Sequence, residues 1–150
     1  MHALLNVAVM AARRAGDTLV RKQKNLEKLK VEEKGFNDFV SDADRAAEQA
    51  VISTVQKHYP DHAFLAEESG VTGESDHVWI IDPLDGTTNF LHGMPIFAVS
   101  IGVQVRGRIE HACVYDPLRQ ELFTASRGDG AQLDGHRIRV SGRKQLARAL

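Results

Sequence analysis

The sequence of 150 residues has little or none of several features that define protein classes. It contains one cysteine, Cys113, so neither an intramolecular disulfide nor a cysteine-based zinc site is expected. No apolar run approaches the ~18 residues of a membrane-spanning helix. The arginines near the N-terminus follow the first apolar stretch, which is the reverse of a secretory signal peptide. These absences predict a cytoplasmic protein without a membrane partner.

Motifs of several enzyme classes are also missing. The seven histidines form no HExxH pattern, which argues against a zinc protease. The sequence has no phosphate-binding loop of the nucleoside triphosphatases, and 128–130 lacks the third glycine of a dinucleotide site. A G-x-S-x-G esterase motif is absent as well. Cys113 falls inside a strand pattern, so we interpret it as a small buried residue rather than a nucleophile.

Charge is distributed unevenly, although the formal net charge is only −1. Residues 35–85 contain eleven acidic and two basic residues, whereas both flanking segments are basic. A solvated acidic surface is one interpretation; a site for a hard cation is the other, because Mg²⁺ prefers carboxylate oxygens. The stretch 137–150 contains five basic residues, no acid and no aromatic side chain, which favours an exposed or partner-facing edge over a nucleic-acid site.

Hydrophobic periodicity predicts an α+β fold. Apolar residues at i, i+3 and i+4 predict a helix over about residues 3–22, and a second helix begins at Ser41 or Asp42 and ends before Pro60. Short links between the later strands indicate antiparallel neighbours. We therefore predict two N-terminal helices packed on an antiparallel meander sheet. The predicted strands cover 62–66, 77–82, 97–105, 108–116, 119–125 and 137–140.

The segment WIIDPLDGTTNF contains the residues best suited to bind a metal and a phosphate. Asp82 follows an apolar strand, which Pro83 is expected to end because proline has no N–H for the ladder. Asp85 brings a second carboxylate close to the first, and Gly86 permits a tight backbone. Residues 87–89 resemble the first turn of a helix, whose free N–H groups suit a phosphate. A simple capped turn is the alternative, since Asp-Pro and Asp-Gly are common turn dipeptides.

Three further residues are candidates for the same site. Glu67 follows a predicted strand and could add a third carboxylate, although a solvated loop would contain the same residues. Asp44 could reach the site from the start of the second helix, or it could only compensate the helix dipole. Lys34 could neutralise an acid, although an exposed lysine is the usual case. Two metals held by shared carboxylates suit the hydrolysis of a phosphate ester.

The stretch from Trp79 to His92 resembles the first signature of the inositol monophosphatase family, which are metal-dependent, lithium-sensitive phosphatases. KGFNDFVSDAD, LAEESG and YDPLRQELFTASRGDGAQLDG resemble three other segments of that family, so the resemblance covers nearly the whole chain. It implies the first half of a layered αβαβα sugar-phosphatase fold. It also implies a Mg²⁺-dependent hydrolysis of myo-inositol monophosphate to inositol and phosphate, and a homodimer.

The resemblance also implies a role for each candidate residue. Glu67, Thr87 and Asp44 would be the catalytic residues that orient the attacking water. The metal ligands would be Glu67, Asp82, the carbonyl of Leu84, and Asp85. The backbone of Gly86, Thr87 and Thr88 would hold the phosphate, and Lys34 would support the site.

One departure from the family pattern concerns its second half. That half contains a Trp-Asp signature, and its aspartate completes the second metal site. The single tryptophan here is Trp79, and the residue directly after it is Ile80 rather than an aspartate. We therefore interpret residues 1–150 as the N-terminal metal-binding half of a longer protein, with the C-terminal half absent. Such a chain is expected to have weak or no phosphatase activity.

Two alternatives remain. A haloacid-dehalogenase-type phosphatase also places an aspartate after an apolar strand, but it needs D-x-D, whereas Asp82 and Asp85 form D-x-x-D. The other alternative is a non-catalytic regulatory protein that binds the transcription machinery, which the basic C-terminal stretch would suit.

Overall fold

The computed structural model describes residues 2–35, 38–145 and 147. Two long helices come early in this part of the chain and a very short one follows the acidic motif. Both long helices agree with the predicted periodicity, and α2 begins at the predicted cap and ends before Pro60. The helices are α1 (Ala3–Gln23), α2 (Asp42–His58) and α3 (Thr87–Leu91), with one 3₁₀ turn at Leu26–Lys28.

Ten strands form two sheets. A small antiparallel pair, β1–β2, lies between α1 and α2, and the other eight strands form one mixed sheet in the order β10-β9-β8-β7-β6-β5-β3-β4. All neighbours in that sheet are antiparallel except β3 and β5, which are parallel. The strands are β1 (Val31–Gly35), β2 (Asp38–Ser41), β3 (Ala63–Ala66), β4 (Gly70–Thr72), β5 (His77–Asp85), β6 (Ala98–Val105), β7 (Arg108–Asp116), β8 (Glu121–Ser126), β9 (Gly130–Leu133) and β10 (His136–Ile138).

The predicted α+β class, with helices packed on a mostly antiparallel sheet, is confirmed, but three details were wrong. Pro83 does not end β5, which continues to Asp85 through a shift of register against β6. Proline is tolerated at such a bulge because the ladder needs no N–H from it there. β4 and β9 were not predicted, and the parallel pairing of β3 with β5 was not either. Both missed strands are short and rich in polar residues or glycine, so their sequences have little strand pattern.

Helices α1 and α2 pack against each other and cover one face of the large sheet. Half of the buried residues of α1 are alanines, and at Gly16 the helix packs tightly against Tyr115 of β7. A Cβ atom built on Gly16 would lie 2.8 Å from Cε1 of Tyr115 and 2.9 Å from Cβ of Pro117. The glycine that weakens the helix pattern in the sequence is therefore required by packing.

The opposite face of the sheet has no helix of this chain packed on it in the part that is described. Cross-strand pairing places Leu65, Ile80, Gly102 and Ile109 on this face. Leu65 and Ile109 are 44% and 43% exposed. The sheet therefore has one fully packed face and one apolar face that stays partly open to solvent.

Trp79 lies on the packed face of the sheet and is fully buried. Its indole N–H donates a hydrogen bond to Nδ1 of His62, at 3.0 Å. The His62 ring is stacked between Tyr59 and His77, with centroids 4.6 and 4.5 Å away. This arrangement needs an unprotonated Nδ1, and burial, followed by the charge of His77, lowers the pKa of His62.

Cys113 is fully buried, and burial raises the pKa of its thiol to about 12. It is therefore a packing residue, as predicted, because a thiol that stays protonated is a poor nucleophile. No helix in the described part of the chain is long and apolar enough to cross a membrane.

We expect Gly16→Ala to lower the free energy of unfolding by about 1 kcal/mol, although alanine is the better helix former, because overpacking typically costs about 1–3 kcal/mol. Urea unfolding measures the change. Asp17→Ala, on the exposed side of the same helix, is the control and should not destabilise. A Gly16→Ala chain as stable as wild type would contradict the close approach of α1 to β7.

The His62 hydrogen bond predicts a specific loss of stability in acid. Because the folded state has the lower pKa, the unfolded chain binds the proton first, so stability falls as the pH drops below about 6.5. His62→Gln keeps an acceptor for Trp79 but does not titrate. Urea midpoints followed by Trp79 fluorescence at about pH 7.5 and about pH 5.5 should differ less in His62→Gln than in wild type. If the urea midpoint changes with pH by the same amount in wild type and in His62→Gln, this role of His62 is wrong.

Candidate active site

The two aspartates of the acidic motif are placed by the bulge at the end of β5. Asp82 pairs with Ser100 and Asp85 with Ala98, so β5 has one more residue than β6 between these pairs. Within the bulge, the Leu84 side chain is buried in the core. The backbone N–H of Leu84 donates a hydrogen bond to Oδ1 of Asp82 at 3.2 Å. Asp85 is exposed. Burial of Leu84 in the core therefore anchors the short backbone segment between Asp82 and Asp85.

Gly86 follows the bulge and is the N-cap residue of α3. Its φ of 95° lies in the left-handed region, and a Cβ there would be 3.0 Å from the carbonyl oxygen of Ile96. Only glycine meets both conditions without strain. The short helix starts at Thr87, as the sequence predicted, and Thr88 is exposed beside it. The first-turn amides have no acceptor within the helix, so they need acceptors from outside it.

Asp44 connects this loop to α2. It is 1% exposed and closes a capping box, in which Oδ2 accepts hydrogen bonds from the N–H and the hydroxyl of Ser41, at 2.8 and 2.6 Å. Its other oxygen, Oδ1, accepts a hydrogen bond from the Thr87 hydroxyl at 2.9 Å. The sequence offered dipole compensation as the alternative role; in the structure the carboxylate both caps α2 and holds Thr87.

The Thr87 hydroxyl has two acceptors within reach. The Leu84 carbonyl oxygen lies 3.0 Å from Oγ1, in addition to Oδ1 of Asp44. A hydroxyl has one proton, so it donates to one of them at a time, and its lone pairs remain available to a third group. Thr87 is therefore fixed between α2 and the β5 bulge with the capacity to accept one more hydrogen bond.

Glu67 and Asp82 form the second part of the site. Glu67 follows β3, and its N–H donates to the carbonyl of Ile81 in β5, at 3.1 Å. The two carboxyl groups lie beside each other. Burial, together with the negative charges of Asp85 and Asp44, raises the pKa of Asp82 above its usual range, while the hydrogen bonds from Glu67 and the Leu84 N–H oppose this. The acidic groups gathered here therefore disfavour one another's ionised forms.

The donors in this site are those that a hard divalent cation takes: three carboxylates and a backbone carbonyl. As the side chains stand, no three His, Cys, Asp or Glu side chains among the described residues are placed to hold an ion together. The donor chemistry fits Mg²⁺, and the acidic pair Glu67–Asp82 is where a cation would balance the negative charge. Lys34 lies in β1, and its side chain is outside the described part of the chain.

Sequence reasoning missed Glu48, which is 4% exposed in α2, one turn after Asp44. Its carboxylate accepts hydrogen bonds from the backbone N–H groups of Glu68 and Ser69, at 2.8 and 3.0 Å. A signal was present in the sequence, because Glu48 occupies the same helix face as Asp44, Val51 and Val55, where an acidic side chain needs a buried partner.

Comparison with protein families gives a match over the whole chain, residues 1–150, to the inositol monophosphatase family. Among curated proteins, the Nus factor SuhB of Pseudomonas aeruginosa is 54% identical over 154 residues, covering 100% of this chain and 57% of the relative. The Nus factor SuhB of Escherichia coli K12 is 51% identical over 148 residues, covering 97% of this chain and 55% of the relative. The chain therefore spans a little more than half the length of these relatives.

Solved structures agree with this match. The extragenic suppressor protein SuhB of Bartonella henselae superposes with a TM-score of 0.94 at 48% identity, covering 97% of this chain and 57% of the other. An IMPase from Thermotoga maritima superposes with a TM-score of 0.85 at 35% identity, covering 94% of this chain and 55% of the other. The arrangement of helices and sheet is therefore that of inositol monophosphatase structures.

The bond between Thr87 and Asp44 can be tested by stability alone. Thr87→Val keeps the shape of the side chain but leaves Oδ1 of Asp44 without its donor, which typically costs about 1–3 kcal/mol in a buried site. Thr87→Ser retains the hydroxyl and is the control. In urea unfolding we expect Thr87→Val to be clearly less stable than Thr87→Ser. If the two variants unfold at the same denaturant concentration, the hydrogen bond does not hold α3 to α2.

Proposed function

Because the chain belongs to the inositol monophosphatase family, we propose that it is the metal-binding half of a Mg²⁺-dependent phosphatase. The whole protein would hydrolyse a small phosphomonoester, and myo-inositol monophosphate is the substrate that the family name suggests. The reaction yields inositol and phosphate. On this proposal the 150 residues supply most of the metal ligands and the phosphate-binding loop.

One observation carries the proposal: hydrogen bonds connect the start of α2, the β5 bulge and the start of α3. The Thr87 hydroxyl lies within hydrogen-bond distance of Oδ1 of Asp44 and of the Leu84 carbonyl oxygen, and Glu67 lies beside Asp82. A solvated acidic surface would leave these groups in water and apart. Carboxylates around a hydroxyl that can accept a further hydrogen bond, beside the first-turn amides of α3, suit an anionic substrate that arrives with a divalent cation.

We assign the roles as follows. Glu67, Asp82, Asp85 and the Leu84 carbonyl would hold Mg²⁺, which lowers the pKa of water and stabilises a leaving oxygen when it is bound. Thr87 would accept a hydrogen bond from the attacking water, with its own proton directed to Asp44. Glu67 would receive the proton of that water. The amides of Gly86, Thr87 and Thr88 would bind the phosphate, and Lys34 would balance the charge.

The partly open face of the sheet is where we place the rest of the longer protein. That part would supply the missing aspartate of the second metal site and the groups that select the alcohol. The homodimer and the lithium sensitivity that the family resemblance implies would belong to the whole protein. The chain alone would then bind one metal well and hydrolyse its substrate slowly or not at all.

A second candidate function comes from the name of the relatives. The proteins from P. aeruginosa and E. coli are named Nus factor, at 54% and 51% identity. A regulatory protein that binds the transcription machinery would use a surface rather than the acidic site. Residues 139–145 are exposed and contain Arg139, Arg143 and Lys144, so they could form part of such a surface.

The metal site is tested by titrating the chain with Mg²⁺ in a calorimeter, with and without phosphate. We expect one site per chain, and Asp82→Asn should weaken it at least about tenfold, since the loss of a metal ligand costs at least as much as the loss of a supporting group. Asp76→Asn is the matched control, because Asp76 is an exposed acid whose partner is Arg106. It should bind Mg²⁺ as wild type does.

The outcomes separate the two functions. Absence of Mg²⁺ binding, or equal binding by Asp82→Asn, would refute the phosphatase proposal. Rapid phosphate release from inositol 1-phosphate by the 150 residues alone would refute the view that a second half is needed. Co-purification with RNA polymerase that Asp82→Asn leaves unchanged, in a chain that binds no Mg²⁺, would favour the regulatory function.

A further inference from the structure

Glu48 is a buried carboxylate with no assigned role in binding the metal, the phosphate or the attacking water. It lies in the middle of α2 with 4% of its surface exposed. Each of its oxygens accepts one backbone N–H: Oε2 that of Glu68 at 2.8 Å, and Oε1 that of Ser69 at 3.0 Å. Burying a charged group is unfavourable unless such bonds satisfy it. A carboxylate also accepts stronger hydrogen bonds than a neutral oxygen does, so these two bonds should hold the amides of Glu68 and Ser69 in place.

The two amides belong to the turn that begins with Glu67. β3 ends at Ala66, and β4 begins at Gly70, which has a φ of 72°. Within this turn the N–H of Glu67 donates to Ile81 in β5, and the next two N–H groups donate to Glu48 in α2. Three successive peptide groups are thus held by two different elements. The direction in which the Glu67 side chain leaves the backbone is fixed from both sides.

Glu48 also connects this turn to Asp44. The two acids lie four residues apart, on one face of α2, so one helix places both of their partners. Asp44 holds Thr87 at the start of α3, and Glu48 holds the turn of Glu67. Helix α2 packs directly on β5, which contains Asp82. A shift of α2 would therefore move Thr87 and Glu67 together relative to Asp82.

We propose that Glu48 is a positioning residue for the metal site: it holds the turn after β3 so that Glu67 faces Asp82. This inference rests on the proposed function, since Glu67 is the metal ligand that Glu48 positions. Glu48 itself touches neither metal nor substrate. Its removal is expected to weaken metal binding through Glu67 while the rest of the fold persists.

A matched control exists at the other end of the sheet. Oδ1 of Asp134 accepts the N–H of Leu122 in β8 at 3.0 Å, so its carboxylate also binds a backbone amide of another segment. Four strands separate β9, beside Asp134, from β3, beside Glu67. At about 4.8 Å per strand, the two turns are roughly 20 Å or more apart. Asp134→Asn therefore perturbs a similar contact without reaching the site.

The experiment is a Mn²⁺ titration of the 150-residue chain, with free Mn²⁺ measured by electron paramagnetic resonance. The variants are Glu48→Gln, which has nearly the same shape, and Asp134→Asn. We expect Glu48→Gln to raise the Kd for Mn²⁺ about 10- to 100-fold, the usual effect of losing a group that orients a ligand. Asp134→Asn should leave the Kd unchanged. Amide hydrogen exchange should accelerate at Glu68 and Ser69 in Glu48→Gln only.

Each outcome decides a separate question. No Mn²⁺ binding by wild type would overturn the proposed function. Wild-type affinity in Glu48→Gln would overturn the role of Glu48 and leave the metal site intact. An equal loss in Asp134→Asn would overturn it too, because the effect would then be general loosening. If circular dichroism shows Glu48→Gln unfolded, Glu48→Asp replaces it, since the shorter side chain keeps the charge but cannot reach both amides; it should also weaken binding.

Discussion

The candidate site depends on the burial of two carboxylates on one face of helix α2. Asp44 and Glu48 are 1% and 4% exposed, and a buried carboxylate is stable only when its oxygens accept hydrogen bonds. Their donors come from Ser41, Thr87 and the turn after β3. Satisfying these two groups forces separate segments of the chain to meet at one place. The acidic site is formed at that place.

The sheet provides the rigid frame for this arrangement. β5 is paired with β3 up to Ile81 and with β6 on its other side, and beyond Ile81 its bulge is held by β6 and by Leu84, which is buried in the core. Helices α1 and α2 cover one face of the sheet, and Gly16 lets α1 approach β7 closely. The other face stays partly open. The molecule thus combines one well-packed face with one face that stays partly open to solvent.

Much of the fold was predictable because its signals are local. The periodicity of α1, the Ser41 cap of α2 and the short links that make β6, β7 and β8 antiparallel neighbours involve only nearby residues, and each agreed with the structure. The errors arose where long-range pairing decides. Pro83 ends a strand in isolation, but it is accommodated in a bulge once β6 pairs beside it. β4 and β9 are short and form only because a neighbouring strand offers its edge.

The sequence by itself determined the acidic motif, the glycine needed at position 86 and the family resemblance, because these depend on residue type and spacing. The tertiary structure alone decided that Asp44 binds Thr87 across forty-three residues, and that Glu48 holds the turn after Glu67. The physical reason is that a carboxylate's environment depends on which segments pack around it. Spacing along the chain does not contain that information, whereas the packing of α2 on β5 does.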